Sequence, residues 1–390
     1  SGSVSITGST DIVGPLTQSG SVSITGSTDI VGPLTQSGSV SITGSTDIVG
    51  PLTQGNGAVA TGDSAFSQGT DTTAEGTDSH AEGFATRAWG DTSHAEGSNT
   101  LAGNPTLNGI YSANSHAEGL HTTASAIASH AEGVETLASH VAAHAEGSGS
   151  IASGLFSHAE GKSSIASGET SHAEGQQNLA SGLSSHAEGQ TVSASGNYSH
   201  AEGSGTHAAG IASHAEGSGT YAGGEKSHAE GLFTSASGKY AHSQGRYTNA
   251  SGWYSFASGN ETLAKDAYSF THGYQLTSSH ASASYLGQFN SSSALNQDFY
   301  RIFEIGTGES NADRVNAFEV GWYDSQDSGT GFMPFIVIPN KNSKGGGMGI
   351  GDWGSDLPPT GSIFLDIANG TLRIYTGKGA DGWSFISYTP

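Results

Sequence analysis

Between Phe66 and Phe270 the chain repeats every 14 residues, and a fixed short period constrains the fold more tightly than any single residue type. The repeating word is Ser-His-Ala-Glu-Gly. Its histidines fall at His80, His94, His116, His130, His144, His158, His172, His186, His200, His214 and His228, with one interval of 22 among intervals of 14. The long interval is one period plus eight residues, an inserted loop around Asn104-Pro105-Thr106-Leu107-Asn108-Gly109. The same register places Phe66 before the first histidine and His242, Phe256 and Phe270 after the last, so fifteen coils are predicted. Seven residues after each of these positions comes a weaker half-repeat, as in Ile151-Ala152-Ser153-Gly154 and Ile165-Ala166-Ser167-Gly168. A period of 14 is no multiple of the helical 3.6, but it suits two short strands, each closed by a glycine turn. Stacking such coils sets parallel strands about 4.8 Å apart.

Side chains alternate along a strand. Ser79, Ala81 and Gly83 therefore share one side, and His80 and Glu82 the other. A coil this short has no room for large side chains, so the small set is expected to face inward. Apolar residues make up only 34% of the chain, against about 45–50% in an ordinary globular domain. Such an interior buries too little apolar surface to offset a backbone ordering cost of about 1–2 kcal/mol per residue. Packing against identical chains is the expected remedy. At the ends of the array the histidine slot holds Phe66, Phe256 and Phe270, and the glutamate slot holds Gln68, Gln244 and Ser258, residues suited to partial burial. The expected trimer-interface ladder is therefore His80 and Glu82, His94 and Glu96, His116 and Glu118, His130 and Glu132, His144 and Glu146, His158 and Glu160, His172 and Glu174, His186 and Glu188, His200 and Glu202, His214 and Glu216, and His228 and Glu230, with Phe66, Phe256 and Phe270. Imidazole N–H groups would donate to carboxylates of a neighbouring chain or coil. The competing reading leaves both rows in water.

Ser-x-Ala-x-Gly on a 14-residue period resembles the head repeats of trimeric autotransporter adhesins of the YadA type. The Ser-His-Ala-Glu-Gly form is similar to repeats of phage tail fibre and tail spike proteins. The resemblance implies a left-handed parallel β-roll in a homotrimer. It covers about residues 58–289, within the predicted stalk of residues 55–289. In adhesin heads the slots of His80 and Glu82 are typically aliphatic, so a greasy trimer core is not expected here. The autotransporter's secretion leader and membrane-anchoring barrel segment are not expected either, which turns the resemblance toward phage particles.

Residues 1–54 are one 18-residue unit, SGSVSITGSTDIVGPLTQ, written three times. An alternating strand, a Gly-Pro turn and a second strand resemble the fibrous shafts of adenovirus and phage fibres, with a flexible linker as the competing reading. Residues 290–390 change character. Fifteen of the 32 aromatic residues fall within 289–390, and strands are predicted at 299–306, 317–323, 334–339, 362–368, 372–377 and 383–389, with Asn369-Gly370 as a hairpin turn. A compact β knob is expected. Phe303 to Val320, and Gly361 to Tyr375 with Trp383, resemble segments of phage fibres.

Net charge is −23, from 35 acidic and 12 basic residues, a poor footprint for nucleic acid or an anionic membrane. There is no cysteine, no Gly-x-Ser-x-Gly elbow, no phosphate loop and no His-Glu-x-x-His. Gly223-Gly224-Glu225-Lys226-Ser227 lacks the leading glycine of a phosphate loop and reads as a turn. A His/Glu pair occurring eleven times points to structure rather than to one active site. No enzyme activity, cofactor or metal is expected, since the repeats carry His-x-Glu rather than the His-x-His of some metal-holding fibre tips.

The expected function is that of a structural and adhesive trimeric tail fibre of a virion. Its N-terminal region would meet other particle or baseplate proteins. Its knob would meet a host-surface glycan or protein through Trp322, Tyr323, Trp353 and Trp383. The alternatives are a bacterial surface adhesin, a glycan-degrading spike enzyme, or a collar fibre with no receptor.

Overall fold

The computed structural model describes residues 4–7, 10–18, 22–25, 28–36, 40–43, 46–104, 112–290, 299–308, 316–324, 332–339, 347–350, 363–366, 371–375 and 383–386. Among these there is no α-helix, and hence none long and apolar enough to cross a membrane. The fold is all-β, a parallel β-solenoid with coils of about 14 residues. The chain divides into two compact units, Ser1–Ser199 and His200–Pro390.

In the first unit each coil has a five-residue strand, such as His80–Phe84, and a two-residue strand, such as Arg87–Ala88. Each pairs in parallel with its copy in the next coil, so His80 lies over His94, Glu82 over Glu96 and Ala88 over Ala102. The 22-residue interval does not disturb this register, because His94 still pairs with His116 and Glu96 with Glu118. Residues 105–111 of the inserted loop lie outside those described.

The interior is as small as the alternation predicts: Ser79, Ala81, Thr86 and Ala88 are all buried, as are their equivalents in the neighbouring coils. Two details differ from the expectation. Threonine shares the interior with alanine and serine, at Thr86, Thr100, Thr122 and Thr136. Gly83, assigned inward by alternation, instead sits half-buried at a corner with φ +115°, and a Cβ there would lie 2.0 Å from the carbonyl oxygen of Gly97. This glycine is required by the approach of the next coil, not by the interior.

A second set of corners had no sequence signature. Residues at seven-residue intervals, including Asp71, Asp78, Ala85, Thr92 and Asn99 with φ between 53 and 55°, lie in the left-handed region that costs an L-residue about 1–2 kcal/mol. Each of these conformations is fixed by a backbone bond to the preceding coil: Ala85 N–H donates to Thr70 C=O at 2.8 Å and Thr170 N–H to Leu155 C=O at 2.8 Å. In several coils the hydroxyl of the word's serine closes the adjacent turn, as at Ser129, Ser157, Ser171, Ser199 and Ser227. Ser157 Oγ donates to Gly154 C=O at 2.7 Å and accepts Gly154 N–H at 3.1 Å. Where the word opens with Ala143, no such side-chain bond is available.

The 18-residue units also fold as coils, with three strands rather than the two read from sequence: Val4–Thr7, Thr10–Val13 and Leu16–Gln18 in the first copy. Copies pair in register, Val4 on Val22, Thr10 on Thr28 and Leu16 on Leu34. The last third strand, Leu52–Gln54, pairs with Phe66–Gln68 of the first 14-residue coil.

The second unit continues the same two-strand coil from His200–Ser204 to Ser284–Gln288. Its last coils change filling: along one inward row Ala257 is followed by Thr271, Tyr285 and Glu304. Tyr285 and Leu276 are fully buried, and the Tyr285 hydroxyl accepts the N–H groups of Ser279 and His280 at 3.0 Å each. Burial pushes the Tyr285 phenol above its ordinary pKa. The buried Glu304 carboxylate accepts from Asn290 Nδ2 at 2.9 Å. Phe299–Thr307 pairs in parallel with Ser284–Gln288 and then antiparallel with Asn316–Asp324, which leads to Phe332–Pro339 and Gly347–Ile350. Ile363–Asp366, Thr371–Tyr375 and Trp383–Ile386 form a separate antiparallel sheet. Asn369-Gly370 lies outside the described residues, but the strands on either side of it pair antiparallel, as a hairpin there requires.

The corner glycine and the left-handed corner make opposite demands on a side chain. At Gly161 (φ +95°) a Cβ would meet Gly175 C=O at 2.2 Å, whereas at Gly149 (φ +66°) the nearest atom is Ser163 Oγ at 3.5 Å. Gly149→Ala is expected to cost about 1–2 kcal/mol, and Gly161→Ala at least about 2 kcal/mol more. Thermal unfolding followed by circular dichroism measures both, and equal costs would contradict the backbone-contact account.

Candidate functional site

The outward face of the five-residue strands carries the two rows expected from sequence. His80 and Glu82 are 32% and 46% exposed at the side chain, while Ala81 between them is fully buried. In-register pairing leaves each imidazole one strand spacing from the next, and the rings stack. In the first unit the centroids from His94 to His186 are 4.6–4.9 Å apart, with interplanar angles of 2–11°. In the second unit His200, His214 and His228 stack at 4.9 and 4.8 Å. The three phenylalanines of the predicted ladder extend these stacks. Phe66 lies 4.9 Å from His80, Phe256 lies 5.0 Å from His242, and Phe270 lies 5.0 Å from Phe256.

In the coils of His80, His94, His116, His130, His144, His158, His172, His200, His214 and His228 the histidine Nε2 points at the glutamate two residues on, at 3.5–3.9 Å. That is beyond hydrogen-bond length. Nε2 of His80, His94, His116, His130, His144, His158 and His172 is buried and makes no hydrogen bond. At these seven histidines no imidazole-to-carboxylate hydrogen bond is made within the chain. The rows are brought side by side with a gap between them.

The electrostatics of the two rows conflict. His94, His130, His144, His158 and His228 are held below the ordinary histidine pKa, first by burial and then by neighbouring imidazoles, with the glutamates pulling the other way. Burial and stacking thus hold these five histidines toward the neutral form. The glutamates stand in register, Glu82 on Glu96, Glu118 on Glu132 and Glu160 on Glu174, and like charges so placed repel. Among the described residues the lysine ion pairs fall elsewhere, on Glu225, which Lys239 meets at 2.7 Å and Lys226 at 3.8 Å.

The four candidate receptor residues are not gathered in the described structure. Trp322 and Tyr323 lie in Asn316–Asp324, where they pair with Pro334 and Met333, and Trp383 pairs with Tyr375 in the separate sheet. Trp353 lies outside the described residues. Gly223 to Ser227 is a turn between strands, as read from sequence, with Lys226 over the Tyr240 ring at 5.3 Å rather than over a phosphate.

One surface feature escaped the sequence reading. Tyr240, Tyr254 and Tyr268 occupy left-handed corners and stack at 4.7 and 5.1 Å, with Trp253 beside them 63% exposed. Their 14-residue spacing was the available signal, but these corners carry no consensus residue. No protein-family model matches the chain, and no curated protein matches it.

Depressed histidine pKa values make stability pH-dependent. The unfolded chain takes up protons near pH 6.5, the folded one only below that, so the stabilisation is complete above pH 6.5 and is lost as pH falls through and below it. The thermal midpoint is expected to fall on acidification from neutral pH. His94→Phe with His130→Phe, matching the residue at Phe66 and Phe256, is expected to flatten that dependence. An unchanged slope in this variant would contradict the stacked-imidazole account.

Proposed function

We propose that the chain is a homotrimeric tail fibre protein of a phage or phage-like particle, in which the solenoid is a mechanical stalk and the C-terminal β region meets the host surface. The observation that carries this reading is the contrast between the two faces of the coil. The interior is alanine, serine and threonine, with little apolar area. The outward face carries rows of half-buried imidazoles, and Nε2 of His80, His94, His116, His130, His144, His158, His172, His214 and His228 makes no hydrogen bond within the chain. A surface with buried donors and unmet partners favours a second copy over solvent, and threefold association would place equivalent rows face to face. The phenylalanines that extend the stacks support the same arrangement, because exposed aromatic ladders favour burial.

Attachment to other particle proteins falls to the N-terminal coils in this reading, and host contact to the aromatic-rich region beyond residue 290. Trimeric display would let weak glycan contacts add by avidity. The periodic His/Glu pairs belong to the stalk, and the protein acts without catalysis.

Sedimentation equilibrium of the purified chain is expected to give three times the 39.3 kDa chain mass. Glu132→Ala, Glu146→Ala and Glu160→Ala together are expected to lower the melting temperature of the trimer. A monomer, or a trimer of unchanged stability in this variant, would remove the proposed interface. Competition by the purified chain against particle adsorption to host cells tests the attachment role, with release of reducing ends from host polysaccharide as the result that favours a spike enzyme instead.

A further inference from the structure

The His/Glu face poses a problem that does not depend on how many chains associate. A row of carboxylates in register needs cationic compensation. The row beside it consists of imidazoles whose stacking and burial disfavour the charged form, because adjacent rings at 4.6–4.9 Å would repel if both carried a proton. Lysine and arginine are scarce, 12 in the chain, and the lysine ion pairs of the described residues are on Glu225.

The atoms facing this gap are two imidazole nitrogens and a carboxylate oxygen. His144, Glu146 and His158 bring one ligand atom each within 4.8 Å of one another. The same holds for His158, Glu160 and His172, for His172, Glu174 and His186, and for His214, Glu216 and His228. Nε2 of His144, His158, His172, His214 and His228 is buried without a hydrogen bond. The His-to-Glu separations here are 3.5–3.9 Å, too long for a hydrogen bond. They lie close to the edge of a tetrahedron of ligands around a metal at 2.0–2.1 Å, which is about 3.3–3.5 Å. Closing the remaining gap between histidines of adjacent coils takes side-chain tilts on the order of 1 Å. We propose that these rows bind divalent transition-metal ions of the zinc class, each held by the histidines of two successive coils and the glutamate of the first, with water as the remaining ligand.

The sequence expectation of no metal came from the His-x-Glu spacing within one strand. The donor set instead assembles across coils, which that spacing does not reveal. Two neutral imidazoles and one carboxylate form a donor set that suits zinc, and the ion supplies the charge that the glutamate row lacks. Sharing limits the number of ions. His158 and His172 each belong to two of the overlapping groups, and one Nε2 serves one ion. The span from His144 to His186 therefore holds two ions at most, and His214 to His228 one, giving three sites of two histidines and one glutamate per chain among the described residues.

The test is titration of the chelator-stripped full chain with zinc chloride at neutral pH by calorimetry, with cobalt(II) as a spectroscopic substitute reporting tetrahedral geometry. The expected result is a stoichiometry of three per chain and an intense visible cobalt band. His158→Gln leaves one group in the first span and is expected to lower the stoichiometry to two. Glu146→Gln, Glu160→Gln and Glu174→Gln together are expected to lower it to one; glutamine already stands in this slot at Gln68 and Gln244, so the fold accepts it. Circular dichroism verifies that each variant is folded. No zinc binding by the parent chain, or a triple variant that binds as many ions as the parent, would overturn the proposal. Trimer formation without zinc would leave the oligomer reading standing and the metal proposal refuted, if zinc also fails to bind.

Discussion

The approach of one coil to the next, backbone against backbone, governs this fold. Each five-residue strand hydrogen-bonds to its copy in the neighbouring coil, and at the corner the chain comes so close to that copy that a Cβ on Gly83 would lie 2.0 Å from the Gly97 oxygen. Strand spacing, the glycine of every word and the left-handed corners all follow from this contact. Because pairing is like on like, whatever side chain occupies an outward slot is copied along the ladder at one strand spacing. The stacked imidazoles and the aligned carboxylates are products of that copying.

The copying also creates the tension on which any function must draw. A histidine row stacked at 4.6–4.9 Å prefers to be neutral, and a glutamate row in the same register needs positive charge nearby. Within one chain the two come to 3.5–3.9 Å and stop short of bonding. Partner chains, protons and metal ions are the agents that relieve such a face. The proposed association and ion binding, with the expected acid sensitivity, would thus be three responses to a single imbalance.

Much of the architecture was legible from the period and from alternation, because both reflect strand geometry directly. Ala81 inside and His80 outside follow from the pleat alone. The corners were illegible for a physical reason: Ala85, Thr170 and Tyr254 share one left-handed conformation through their backbone bonds to the previous coil, so residue type leaves no trace. Gly83 was misplaced because alternation ends at the corner where its φ turns positive. The filling of the last coils by Tyr285, Leu276 and Glu304 was hidden as well, since large residues in the inward row break the pattern of small ones from which the rest was read. At the candidate site the residue types were evident, while the cross-coil grouping of His144, Glu146 and His158 emerged only from the stacking.

The interval of 22 between His94 and His116 has an evolutionary corollary. The ladder closes over the insertion as if nothing had been added, with Ala95 on Ala117 and Gly97 on Gly119. A gene coding for such coils can acquire a foreign segment at that point, or gain and lose whole coils by unequal recombination, and every resulting junction is one the protein already contains. Length and decoration are therefore free to drift independently of the scaffold.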